Sequence, residues 1–322
     1  MLDWPRQLLQ RLGRHAAPAY AISIFLGLAL PQLAAAMRPA IPITIFVFIM
    51  LAFARMNLPG IKAVLTAPKR LLIVLAVSCL LPPLVGYLFL HLPWFRALDP
   101  GIQLAIAMMA SAPPLMAAPV YAALLGFENS LALASLVLGM ATTPLLAPIF
   151  TSLLAGAEVP ISPLALAERL FWFVGTGMVG GLILRRVAGT PRLQAVKLEL
   201  DGLGVLMFFL FAIAAMDGVL DATLQNPLLM LTMLGLSCFF CALNFTLAFA
   251  LFRPFAFNDR FSAAIGIGLR NMGIVVAPLL AVVPKTTFLY FALAQIPIYV
   301  APVVLKALKA RLEPDKSREA PP

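Results

Sequence analysis

Arg270 is the residue in this sequence that most needs a chemical explanation. It lies in the apolar stretch AAIGIGLRNMGIVVAP, about nine residues inside a run covering 261–283, and no other charged residue stands near the middle of any apolar run. A central arginine in a membrane span costs at least ~2.5–3.5 kcal/mol, so it is kept only where something compensates it. Two partners are open to it, backbone carbonyls freed by a broken helix or an anionic ligand. A guanidinium has five donors, so both can hold at once. Asn271 follows it directly, with Gly266 and Gly268 just before; Pro113, Pro114 and Pro119 interrupt a second apolar run. Asn244, Thr142, Thr143 and Gln295 are the other polar groups inside runs. Each serves either a hydrogen bond between helices or a ligand. No nucleophile–base pair, phosphate loop, zinc spacing or pair of carboxylates is present, so an enzyme is not expected. Cys79, Cys238 and Cys241 are scattered through apolar runs and read as small core residues, with no metal or disulfide spacing. Met108, Met109 and Met116 read as packing residues, and His15 and His91 as interface residues outside any metal cluster.

The elements that must position these groups follow from composition. The 322 residues are 62% hydrophobic and only 11% charged, with a mean hydropathy of +1.01. A soluble domain needs about a quarter of its residues charged, so lipid must solvate this surface. With roughly 20 apolar residues per span, the chain holds about ten. The runs are 16–37, 40–54, 71–93, 101–125, 130–155, 165–184, 202–220, 227–252, 261–283 and 286–308, with a Pro-rich break from Glu158 to Pro163. The basic, amphipathic lead MLDWPRQLLQRLGRH is expected to precede a retained first span, and the charged tail is expected to be disordered.

The net charge of +10 does not indicate nucleic acid, because the basic residues cap apolar runs instead of forming one patch. With the N-terminus in the cytoplasm, the inner segments hold Arg6, Arg11 and Arg14; Arg55, Lys62, Lys69 and Arg70; and Arg185, Arg186, Arg192 and Lys197. Arg253 and Arg260 follow, then Lys306, Lys309, Arg311, Lys316 and Arg318. The outer segments hold Arg38, Arg96 and Lys285 with Asp99, Asp217 and Asp221, and only the short 126–129 turn is an inner segment without basic residues. This bias predicts ten spans with both termini cytoplasmic, in a plasma (bacterial inner) membrane.

Ten spans divide into two halves of five, 1–155 and 156–308, followed by a tail at 309–322; an odd number per half inverts the second relative to the first. Pro113, Pro114 and Pro119 of the fourth run correspond to Gly266, Gly268, Asn271, Gly273 and Pro278 of the ninth. Pro144 and Pro148 of the fifth correspond to Pro297 and Pro302 of the tenth. Proline removes a backbone donor, so the fourth and ninth helices are expected to break and cross near the midplane, the usual sign of a transporter's binding site. Gly177 and Gly181 form a GxxxG spacing suited to close helix packing.

SAPPLMAAPVYAALLGFENSLALASLVLGMATTPLLAPIF (111–150) and RFSAAIGIGLRNMGIVVAPLLA (260–281) resemble the bile acid:sodium symporter superfamily, and the likeness spans nearly the whole sequence. The resemblance implies a core of runs three to five and eight to ten, moving against a panel of runs one, two, six and seven. It also implies organic anion substrates such as bile acids, keto acids or pantothenate. The family's ninth helix typically reads E-x-G-x-Q-N, its Glu and Gln binding sodium; here the stretch is Gly266-Ile267-Gly268-Leu269-Arg270-Asn271. The family's Ser-Asn sodium ligands in the fourth helix align with Ala118 and Pro119. Both sodium sites have thus lost hard oxygen ligands, and no cofactor is expected.

The sequence therefore predicts an all-α polytopic transporter of a small organic anion, sodium-independent, with Arg270 in place of the bound cation. Its expected partners are that anion and the bilayer, not nucleic acid; substrate and oligomeric state are not readable. The residues expected at the substrate site and crossing are Arg270, Asn271, Gly268, Gly266, Pro113, Pro114, Ala118, Pro119, Thr143, Asn244 and Gln295. Three other readings stand beside it: a sodium-coupled anion symporter with other ligands, a non-transporting sensor or scaffold, and a metalloid permease. Against the last, the fourth span here has no cysteine, a residue such carriers share there. There is no room for the nucleotide domain of an ATP-driven pump.

Overall fold

The structure, a computed structural model, describes residues 3–14, 16–56, 58–59, 66, 68–127, 130–155 and 162–313. His15, Lys62, residues 128–129 of the 126–129 turn, most of the Pro-rich break and the tail beyond Glu313 lie outside the described residues. Among those described, the chain is all helix, with a single isolated β-bridge.

The helices are α1 (Asp3–Arg14), α2 (Ala16–Ala29), α3 (Pro31–Ala54), α4 (Pro68–Leu90), α5 (Pro100–Ser111), α6 (Ala118–Leu124) and α7 (Ser130–Ala155). They continue as α8 (Pro163–Ala188), α9 (Lys197–Ala215), α10 (Pro227–Leu251), α11 (Phe257–Gly268), α12 (Met272–Val276) and α13 (Lys285–Leu312). Seven of them are long and apolar enough to cross a membrane: α3, α4, α7, α8, α10, α13 and α9 with its continuation to Gln225. At 1.5 Å per residue the first six exceed the hydrocarbon thickness of about 30 Å, and α9 comes close to it before its continuation is added.

Starts and stops are encoded locally. Proline occupies the first turn of α3, α5, α8 and α10, where its missing N–H costs nothing. The Asp99 carboxylate accepts from Gly101 N at 2.8 Å to cap α5, and the Asn226 side chain accepts from Leu229 N at 3.1 Å to cap α10. Past α6, Gly126 takes φ +77°, a left-handed conformation that a side chain would strain.

Two groups of helices pack within themselves. In the first, α9 lies along α1, α2 and α3, while α8 packs on α3. A Cβ at Gly181 of α8 would stand 2.7 Å from Phe53 Cβ and one at Gly177 2.9 Å from Ile49, so the GxxxG face is the α3 contact. Side chains tie the ends of this group: Arg55 to Asp201, Arg38 to Asp217 at 3.0 Å, and Arg185 Nη1 to the Met56 carbonyl at 2.7 Å. In the second group, α4, α5, α7, α10, α11 and α13 enclose the most buried segments, including all of 287–295. The groups meet mainly along α7 and α8, and through Arg38 over the Phe288 ring (4.1 Å).

Three details differ from the sequence reading. The turn between the first two runs falls at Leu30 (φ −124°, ψ 72°), not at 37–40; Pro31 starts α3, and Pro39 is absorbed in a 3-10 turn (Arg38–Ala40) within it. The residue before a proline disfavours helix, and of the two candidate positions only Leu30 obeys. The seventh run ends as helix at Ala215 instead of 220, with a turn at Gly218 (φ +72°) before Val219–Gln225. The prolines of the fifth and tenth runs interrupt nothing: Pro144 and Pro148 lie inside α7, and Pro297 and Pro302 inside α13.

Candidate functional site

The fourth and ninth runs do break, and they cross. α5 stops at Ser111, and Ala112 is extended (φ −66°, ψ 155°), the conformation demanded of a residue before proline. Two consecutive prolines without N–H groups keep the chain extended before α6 begins. In the other segment α11 stops at Gly268, Leu269 is extended (φ −105°, ψ 116°), and α12 starts after Asn271. The two extended pieces run antiparallel. Leu115 N donates to Leu269 O and Asn271 N to Pro113 O, both at 2.9 Å, bracketing the Pro114–Arg270 bridge. Backbone groups that would be bare in a bilayer thus satisfy each other.

Neighbouring helices are shaped to this crossing. A Cβ on Gly268 would meet Phe245 Cβ at 2.7 Å and the Cys241 carbonyl at 3.0 Å, so only glycine lets α11 end against α10. A Cβ on Gly139 of α7 would come within 2.7 Å of Pro114 Cδ. Gly266 is different: the nearest atom to an added Cβ is Pro114 Cβ at 3.8 Å, an ordinary contact.

Arg270 is 4% exposed and is the one charged side chain among the buried residues described. Its Nη2 donates to the carbonyl of Ala112, freed by the break in the other helix, and its Nη1 donates to Ser78 Oγ on α4 at 3.1 Å. Nε has no hydrogen-bond partner. Arg270 therefore joins α4, the end of α5 and the crossing, and no buried carboxylate among the described residues neutralises it.

Beside it lies a recess enclosing about 250 Å³ of space between atoms, part of it open to the outside. Arg270, Pro113, Pro114 and Thr143 line it together with Cys79, Ser111 and Thr142. Of the residues expected at the site, these first four come together here. Asn271 contributes its backbone N–H to the crossing, while Ala118 and Pro119 open α6, both buried. Asn244 and Gln295 instead turn back on their own helices, to Phe240 O (2.8 Å) and Phe291 O (2.9 Å).

Ser78, Cys79, Ser111 and Gly139 were not expected at this place. Cys79, read from sequence as a core residue, is half-buried on the recess wall, whereas Cys241 is buried and Cys238 exposed. Thr142 and Thr143 occupy the wall with their hydroxyls donating one turn back, Thr143 to Gly139 O at 2.7 Å. Among the described residues no cluster of metal-binding side chains occurs.

The model of the sodium bile acid symporter family matches residues 42–226 of the chain. No curated protein sequence matches it.

Proposed function

The chain belongs to the sodium bile acid symporter family, a family of membrane transporters, and from that premise we propose that it carries a small organic anion by alternating access without sodium, Arg270 serving as a fixed cation at the helix crossing. One observation carries the reading: a buried guanidinium bonded to the Ala112 carbonyl and to Ser78, at the crossing of two broken helices. A bound sodium would neutralise carbonyl dipoles there and leave with each cycle. A guanidinium performs the first task permanently and cannot perform the second. Gly266 supplies no side-chain oxygen, and no carboxylate is buried among the described residues to ligate sodium or carry a proton.

In this reading the chain makes ten passes as two inverted halves, 1–155 and 156–308, with both termini in the cytoplasm of a bacterial cell. The broken segments count as one pass each, and α2, preceded by the cytoplasmic lead α1, is the first. The group containing α4 to α7 and α10 to α13 moves as one body against α1 to α3, α8 and α9.

The test is uptake of radiolabelled organic anions into proteoliposomes with external sodium replaced by choline. The reading expects rates unchanged within about twofold. A collapse of uptake in choline would overturn it.

A further inference from the structure

We propose that the recess beside Arg270 binds a small monovalent anion, a halide or a single oxygen of a small oxyanion or carboxylate, as counterion to the guanidinium; the inference rests on the reading of Arg270 as a fixed cation. A buried charge needs compensation, and the two protein partners of Arg270 are neutral oxygens, which leave its net charge in place. The Nε of this 4% exposed side chain has no partner, and no carboxylate is buried among the described residues. The wall supplies groups suited to an anion: the hydroxyls of Ser111, Thr142 and Thr143 and the thiol of Cys79. Each hydroxyl donates to a carbonyl one turn back, on its own helix, and rotation about one side-chain bond redirects it. The remaining wall, Ala112, Pro113, Pro114, Gly139, Leu146 and Phe150, has no polar side chain, and no carboxylate lines the recess to favour a cation.

Size sets the class. The enclosed part of the recess has room for about one water-sized group, and the remainder of its space is open to the outside. A bulky organic anion does not fit inside, but a halide does, as does one oxygen of a small oxyanion or of a carboxylate that reaches in from the open side. The ligand is either inorganic or the head of the transported molecule, with the same chemistry towards Arg270.

Cys79 provides the readout, because its thiol lines the same space. Purified wild-type protein in detergent is transferred to the sodium salt of HEPES, a bulky sulfonate without a carboxylate, then to bromide, nitrate, formate or acetate. Thermal unfolding is followed, and alkylation of Cys79 by N-ethylmaleimide is quantified by peptide mass spectrometry. At least one small anion is expected to raise the midpoint by several degrees and to slow alkylation of Cys79 at least fivefold, relative to the HEPES salt. Thr142→Leu, which fills the recess and keeps Arg270, should lose both responses, as should Arg270→Gln. Protection by halide identifies an inorganic counterion, and protection by formate or acetate alone identifies a carboxylate head. Equal alkylation rates in all salts would overturn the proposal, and so would stabilisation without protection of Cys79 or protection that survives in both variants. Sodium-dependent uptake with anion protection intact would defeat the transport reading and leave this site standing.

Discussion

Gly139 and Pro114 touch so closely that a single methyl on the glycine would stand 2.7 Å from the proline Cδ. The long helix α7 is thus seated directly on the break in the fourth run, and its fit there depends on a missing side chain. Gly139→Ala should lower stability by about 1–3 kcal/mol, the range for overpacking a close-packed interior. Thermal unfolding of the purified protein checks this, and an unchanged midpoint would show that α7 can retreat without cost.

The two glycines of α11 should behave oppositely. Gly268→Ala drives a methyl against Phe245 and the Cys241 carbonyl and should destabilise by about 1–3 kcal/mol. Gly266→Ala meets nothing nearer than 3.8 Å and sits in helical backbone, where alanine is the better residue by about 0.8–1 kcal/mol. It should unfold at the same temperature as wild type or above it. Equal losses in the two variants would contradict this difference.

The crossing was legible in sequence because its causes are local. Pro113 and Pro114 lack donors, and a lone arginine in an apolar run has to face something. The recess wall was not legible. Ser78 and Cys79 reach Arg270 only because α4 packs at a particular rotation against α5, and nothing in the apolar pattern of Pro68–Leu90 fixes that rotation. The first turn was misplaced for a related reason: Leu30-Pro31 and Arg38-Pro39 carry the same proline signal, and tertiary packing chose between them. Pro297 and Pro302 show the converse, a strong local signal that a long helix tolerates.

Arg270→Lys retains the charge and loses the geometry. A single ammonium on a flexible stem replaces a planar fork that reaches Ala112 and Ser78 together. Loss of one charge-assisted hydrogen bond is worth about 1.5–3 kcal/mol, and transport should fall by tenfold or more. Uptake in proteoliposomes at matched protein density is the measurement, and near wild-type rates would mean that charge alone suffices.

Arg38 pairs with Asp217 at 3.0 Å while its guanidinium lies over the Phe288 ring, linking α3, the end of α9 and the start of α13. Both charged side chains are partly exposed, at 34% and 18%, so the ion pair should contribute no more than about 1 kcal/mol. A double-mutant cycle with Arg38→Ala and Asp217→Ala measures it. The coupling should shrink between 0.05 and 0.5 M salt, since exposed charges are screened over about a Debye length. A coupling that ignores salt would show the pair to be shielded from water.

The helix crossing is held by main-chain atoms, Leu115 to Leu269 and Asn271 to Pro113. The hydrogen bonds of a joint made this way are not made by the side chains at 266 and 270. Substitution at position 266 or 270 can change what the joint attracts, an ion, a counterion or nothing, without dismantling the joint. The scaffold and its electrochemistry are thereby separable, and a carrier built on such a crossing can exchange one driving force for another by a few replacements while its architecture is left intact.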